Sequence, residues 1–129
     1  MLKRRSPEQD FQKSVAQFLA LSLQAPTVWS AIGHGGGGRT RGAILKSMGV
    51  RKGMPDVLVM HPADAKHTIV LGLELKAPRG KISVEQFDMA RAFGSARAHY
   101  TVCRTLEEVQ RALTRAQIPL HARIAGAAA

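Results

Sequence analysis

The chain of 129 residues carries 19 Lys and Arg against 9 Asp and Glu, a formal net charge of +10, and is 45% apolar. That length and apolar content fit one domain with one core and exclude a disordered chain. The charge points to a polyanionic partner, nucleic acid first, although ribosomal and architectural proteins share it. Cys103 is the single cysteine, which excludes an internal disulfide and any multi-cysteine zinc site.

No apolar run approaches the ~20 residues of a membrane helix, and no apolar leader segment directly follows the basic start Met1–Arg5. A cytoplasmic protein with no membrane partner is therefore expected. In chain order, residues 1–5 read as a basic arm. Ser6-Pro7-Glu8-Gln9 is a helix start, with Ser as N-cap, Pro at the first position and Gln closing a capping box. The predicted helix runs to about Leu23, with Phe11, Val15, Phe18, Leu19 and Ser22 as its buried stripe. Glu8 complements the helix dipole from the first turn, and Gln12 reads as surface.

Gln24-Ala25-Pro26 stops the helix, and residues 27–32 read as a short strand in which Trp29 serves the core or a dimer contact. GHGGGGRTRG follows at 33–42 and lacks the Gly-Lys-Ser/Thr ending of a P-loop. Its four consecutive glycines let backbone N–H groups approach a phosphate closely, and Arg39 and Arg41 add charge there. The other reading is a flexible loop with solvated arginines. His34 is a candidate phosphate contact or plain polar surface. A short helix is predicted over 41–48, stopped by Gly49, with Ala43, Ile44, Leu45 and Met48 turned inward. Lys46, Arg51 and Lys52 then face out, either to hold a nucleic-acid strand or simply to be solvated.

The densest stretch is 52–86, KGMPDVLVMHPADAKHTIVLGLELKAPRGKISVEQ. Two apolar runs, 56–60 and 69–75, flank a turn at Pro62–His67. Strand side chains alternate faces, so Ile69, Leu71, Leu73 and Leu75 share one face while Glu74 and Lys76 take the other. Folding the runs as an antiparallel hairpin about Ala65 sets position 56 opposite position 74. Asp56, Glu74 and Lys76 then converge at the open end. Two carboxylates so placed repel unless a cation or proton sits between them, and oxygen ligands suit Mg²⁺. Glu-x-Lys by itself reads as a solvated ion pair; with Pro-Asp at the mirror position, an active site is the stronger reading.

After Lys76 comes a turn at 77–81 that carries Arg79 and Lys81. Ser83-Val84-Glu85-Gln86 is a second capping box, opening a helix to about Phe93 that Gly94 ends. Residues 99–104 form a strand holding Cys103, which reads as core. Thr105 opens a last helix with Val109, Ala112, Leu113 and Ala116 inward. Residues 121–129 are expected to fray. The outcome is one domain, core about 7–117, of α/β class: a mixed central sheet flanked by helices.

Gly53-Met54-Pro55-Asp56, Glu74-Leu75-Lys76 and Ser83-x-x-Gln86, in that order and spacing, resemble the VRR-Nuc family of the PD-(D/E)XK nuclease superfamily, specifically its small stand-alone phage and bacterial members. The resemblance extends from about Glu8 to Leu113 and implies a restriction-endonuclease-like core. It implies a metal-dependent DNA endonuclease in which Asp56, Glu74 and the Leu75 backbone carbonyl bind Mg²⁺ (Mn²⁺ can substitute) and Lys76 positions the attacking water. Gln86 would bond the lysine or a water on the metal, besides closing its cap. Glu8 would support the metal through water. The resemblance to small members further implies a homodimer acting on branched DNA such as Holliday junctions. The other class of function is a non-catalytic basic nucleic-acid-binding protein in which the acidic pair is structural.

Overall fold

The computed structural model describes residues 6–33 and 38–125. The basic arm 1–5, His34, most of the glycine run, the Arg39 side chain and residues 126–129 lie outside the described residues. The elements are α1 (Pro7–Ser22), β1 (Val28–Ala31), α2 (Gly38–Ser47), β2 (Val57–Pro62), β3 (Thr68–Leu75), α3 (Val84–Ser95), β4 (His99–Cys103) and α4 (Leu106–Arg115). This is the expected order of helices and strands. β2 reaches two residues beyond the expected run, and α3 continues one residue past Gly94.

The sheet order is β1-β2-β3-β4, antiparallel except for β3 and β4, which run parallel. The β2–β3 hairpin pairs Val57 with Leu73 and Met60 with Val70, the register expected for a fold about Ala65. α3 is the crossover that returns β4 beside β3. The two faces of the sheet differ because side chains alternate along each strand. Val57, Val59, Leu71, Leu73, Leu75 and Cys103 point to one face. They are buried under α1, through Val15 and Leu19, and α4, through Val109, Ala112 and Leu113. Trp29 packs on the edge of this core. Burial holds the Cys103 thiol up at about 12, so it stays protonated as a core side chain.

The opposite face is thinner. Gly72 is buried there because its bare Cα lets two neighbours close in: an added Cβ would meet Pro55 Cγ at 2.6 Å and Phe93 of α3 at 3.0 Å. Phe93 in turn meets Tyr100 of β4 edge to face, centroids 5.3 Å apart.

The helix ends follow local chemistry. Ser6 accepts the Gln9 N–H at 3.4 Å and Ser83 accepts the Gln86 N–H at 3.1 Å. The reciprocal bond that completes a capping box is made in α3, where Gln86 Oε1 accepts the Ser83 N–H at 3.0 Å.

Two expectations need correction. Helix α2 starts at Gly38, before Arg41, and Ala43, Ile44 and Met48 are exposed; of the four residues expected inward only Leu45 is half-buried. α2 makes little contact with the sheet, so its apolar side chains find no core to enter. The tail is tied down at least to Ile124: the His121 N–H donates to the Ser22 carbonyl at 2.7 Å and the Ile124 N–H to Gln110 Oε1 at 2.7 Å. Gln110 is buried on α4, and a buried carboxamide needs such a partner. No helix among the described residues is long and apolar enough to cross a membrane.

Gly53 is a point where the fold depends on a missing side chain. Its φ is +91°, and an added Cβ would stand 2.2 Å from the Glu85 carbonyl oxygen, a backbone atom of α3 that cannot swing aside. Gly53→Ala is therefore expected to lose at least ~2 kcal/mol of stability, the combined cost of a left-handed backbone and overpacking. Urea denaturation of the variant beside wild type checks it.

Candidate active site

The mouth of the β2–β3 hairpin is built by three segments. β3 supplies Glu74 on the Gly72 face, the residue before β2 supplies Asp56, and the first turn of α3 supplies Gln86. The Asp56 carboxylate Oδ2 accepts the Leu75 N–H at 2.7 Å, and the Asp56 backbone carbonyl accepts the Ile32 N–H at 2.8 Å. Asp56 is thereby held at the mouth from two sides. Leu75 thus contributes its N–H to the carboxylate arrangement; a role for its carbonyl as a metal ligand stays a proposal.

Glu74 is only 3% exposed. Its Oε1 accepts from Gln86 Nε2 at 2.7 Å, and its Oε2 is buried with no hydrogen-bond partner. A buried carboxylate oxygen left bare costs free energy unless a proton or cation satisfies it. Burial, followed by the negative charge of Asp56, pushes the Glu74 carboxyl up to about 8; Lys76 pulls it back in part and Glu8 adds a further upward push. The solvated Glu74–Lys76 ion pair is not formed. Glu74 is buried, and among the described residues the one contact between an acidic and a basic side chain at salt-bridge distance is Asp64 with His67 Nδ1, 2.9 Å apart in the hairpin turn.

Lys76, half-buried, follows the carboxylate pair, and its backbone N–H donates to the Cys103 carbonyl at 3.0 Å. Gln86 does two jobs at once, closing the α3 cap with Oε1 and holding Glu74 with Nε2. Its bond goes to the glutamate itself. Glu8 is exposed on the first turn of α1, and its carboxylate faces the Gly80 turn, 3.4 Å from where a Gly80 Cβ would stand. Among the described residues no three His, Cys, Asp or Glu side chains converge as metal ligands.

Arg79 and Lys81 are exposed on the turn after β3, and Arg41, Lys46, Arg51 and Lys52 are exposed on and after α2. Two further residues shape the site without having been singled out from the sequence. Tyr100 donates its hydroxyl to the Gly53 carbonyl at 2.9 Å; burial, then the charges of Glu74 and Asp56, push its own ionisation up, so it remains a donor. Arg104 Nη2 donates to the Gly80 carbonyl at 2.7 Å and braces the basic turn. A parallel strand pairing sets Tyr100 beside Gly72, and no local motif announces such a pairing.

These features define a class: a mixed-sheet α/β fold with a carboxylate pair, Glu74 buried and Asp56 half-buried, at the mouth of its central hairpin and cations on the flanking turns. Two solved structures share the fold. One, described as a VRR_NUC domain protein, has TM-score 0.67 at 16% identity, covering 88% of this chain and 89% of that one. The other, described as a VRR_NUC domain, has TM-score 0.55 at 19% identity, covering 86% and 97%. No family model and no curated protein matches the sequence. The chain has a VRR-Nuc-like fold, as its motif order led one to expect.

Proposed function

We propose that this protein is a metal-dependent DNA endonuclease. The observation that carries the reading is Glu74: a buried carboxylate with one bare oxygen, beside a second carboxylate, at the same hairpin mouth that the sequence motifs single out. The donor set fits a hard divalent cation. It offers two carboxylates, and such ions take one or two with water and substrate phosphate oxygens completing the shell. Asp56 and Glu74 would hold Mg²⁺ or Mn²⁺, with the Leu75 carbonyl as a further donor and Glu8 acting through water. When bound, the ion polarises the phosphoryl oxygen and lowers the pKa of a nearby water.

The chain's own residues do the rest. Gln86 fixes the rotamer of Glu74, and the Leu75 N–H fixes that of Asp56, so both are preorganised. Lys76 offsets charge on the phosphate and positions the water. In the reaction a water oxygen forms a bond to phosphorus and gives up a proton to solvent, the bond to the leaving sugar oxygen breaks, and that oxygen takes a proton from solvent. The outward cations, Arg41, Lys46, Arg51, Lys52, Arg79 and Lys81, would hold the strand through its phosphates, with Arg39 of α2 and His34, which lies outside the described residues, as further contacts. The finer form of the proposal, a homodimer selective for branched DNA such as a Holliday junction, is supported by the motif resemblance.

The test is cleavage of a labelled four-way junction beside matched duplex, flap and single strand, with and without Mg²⁺. Cutting of the junction alone, dependent on Mg²⁺, is the expected result. Equal cutting of every substrate would keep the nuclease and remove branch selectivity. Tight, salt-dependent binding with no cutting in Mg²⁺ or Mn²⁺ would leave a basic DNA-binding protein.

A further inference from the structure

An open pocket of about 1070 Å³ lies between α2 and the segment that leads into β2. Ala43, Leu45, Val50 and Met54 give it an apolar floor, and Lys46, Arg51 and Lys52 give it cations; no acidic side chain lines it. Cations alone would serve a phosphate. An apolar floor beside them serves a planar, weakly polar group joined to that phosphate, and the volume is ample for one nucleotide.

The pocket is mechanically joined to the carboxylate site. Asp56 lies four residues on from Lys52, at most ~14 Å of extended chain. At ~3.4 Å per nucleotide along one strand, the pocket is within about four nucleotides of a phosphate held at the hairpin mouth. Its wall at Gly53 is fixed by the Tyr100 hydroxyl and pressed against the Glu85 carbonyl of α3. The same turn of α3 holds Glu74 through Gln86.

We infer that this pocket is a subsite for one unstacked nucleotide of the DNA strand, its base on the apolar floor and its phosphate on Lys46, Arg51 and Lys52. The inference rests on the nuclease reading and deepens it. A base stacked inside a duplex cannot enter the pocket. At a given branch geometry the protein therefore prefers DNA with an unpaired nucleotide near the cut.

The experiment uses the full chain in metal-free buffer, where nothing is cut. A short single-stranded deoxyadenosine oligomer is titrated while methyl NMR signals are followed, beside an abasic oligomer of equal length and a blunt duplex. The oligomer is expected to shift the methyls of Ala43, Leu45, Val50 and Met54, and the abasic oligomer to leave them largely in place. Gly42 lines the pocket on α2, and a Cβ there meets nothing within 4 Å. With its Cβ free of contacts, Gly42→Trp should obstruct the pocket and weaken oligomer binding at least ~10-fold, while its melting temperature stays at or above that of wild type. Lys46→Glu should weaken binding by a comparable factor. Equal shifts with the abasic oligomer or with the duplex would overturn the inference. So would wild-type affinity in Gly42→Trp, or shifts confined to Val28 and Met60 on the open sheet face. A protein that shows the pocket shifts yet cuts no DNA in Mg²⁺ would sink the nuclease reading alone. A protein that cuts DNA without those shifts would sink the pocket alone.

Discussion

Alanine at Glu74 is expected to lower phosphodiester cleavage by roughly 10³-fold or more, while DNA affinity measured in Ca²⁺ stays close to that of wild type. The size follows from what is lost. A divalent ion on a phosphoryl oxygen supplies several kcal/mol of transition-state stabilisation, and each ~1.4 kcal/mol is tenfold in rate. Asp56→Ala should lose as much for the same reason, and it also leaves the Leu75 N–H without its 2.7 Å acceptor. Lys76→Ala should lose activity comparably. Its positive charge is what draws the Glu74 carboxyl back down, and removing it strips charge compensation from both the site and the phosphate. Affinity survives because phosphate binding is spread over many exposed cations. Gln86→Ala is intermediate, since it unpins Glu74 without removing a ligand. Single-turnover cleavage together with binding isotherms in Ca²⁺ separates the two effects. If Asp56→Ala, Glu74→Ala and Lys76→Ala still cut at the wild-type rate, the site assignment is wrong.

The second large effect is on stability against pH. In the folded, metal-free protein the Glu74 carboxyl is raised from 4.5 to about 8. Between those values the folded state holds a proton that the unfolded chain has released. Stability therefore falls as pH rises through this window and levels off above about 8. The loss is on the order of a few kcal/mol. Glu74→Gln keeps the shape, needs no proton and cannot ionise, so its profile should be flat over the same range and the variant more stable than wild type at pH 8. Adding Mg²⁺ or Mn²⁺ should raise the wild-type melting temperature at pH 8 and barely move it at pH 5, where the proton occupies the site. The Gln variant should lose most of that response. Urea denaturation at a series of pH values, with and without the cation, checks both. A wild-type profile that is flat from pH 5 to 8 would show that Glu74 is not held in the way described.

The order of elements, the hairpin register and the core stripes were legible in the sequence because each is written locally. Ser-Pro-Glu-Gln and Ser-Val-Glu-Gln mark helix starts through groups three residues apart, and the alternating Ile69, Leu71, Leu73 and Leu75 mark a strand face. A turn centred on Ala65 forces position 56 opposite position 74 by simple counting. The Asp56, Glu74 and Lys76 juxtaposition followed from that count.

The tertiary structure alone decided how buried each of these groups is and what it touches. Glu74 passes from a surface acid to a nearly inaccessible one because α3 and Pro55 close over the Gly72 face, and they come from segments on either side of β3. Gln86 turned out to bind Glu74 because the α3 cap is delivered to the hairpin mouth by the crossover. The role of Tyr100 depends on a parallel pairing between strands that no local pattern specifies. The inward face expected of α2 failed for the opposite reason. Its apolar periodicity is real, but periodicity records only which side chains share a face; whether a core lies opposite is a property of the whole fold.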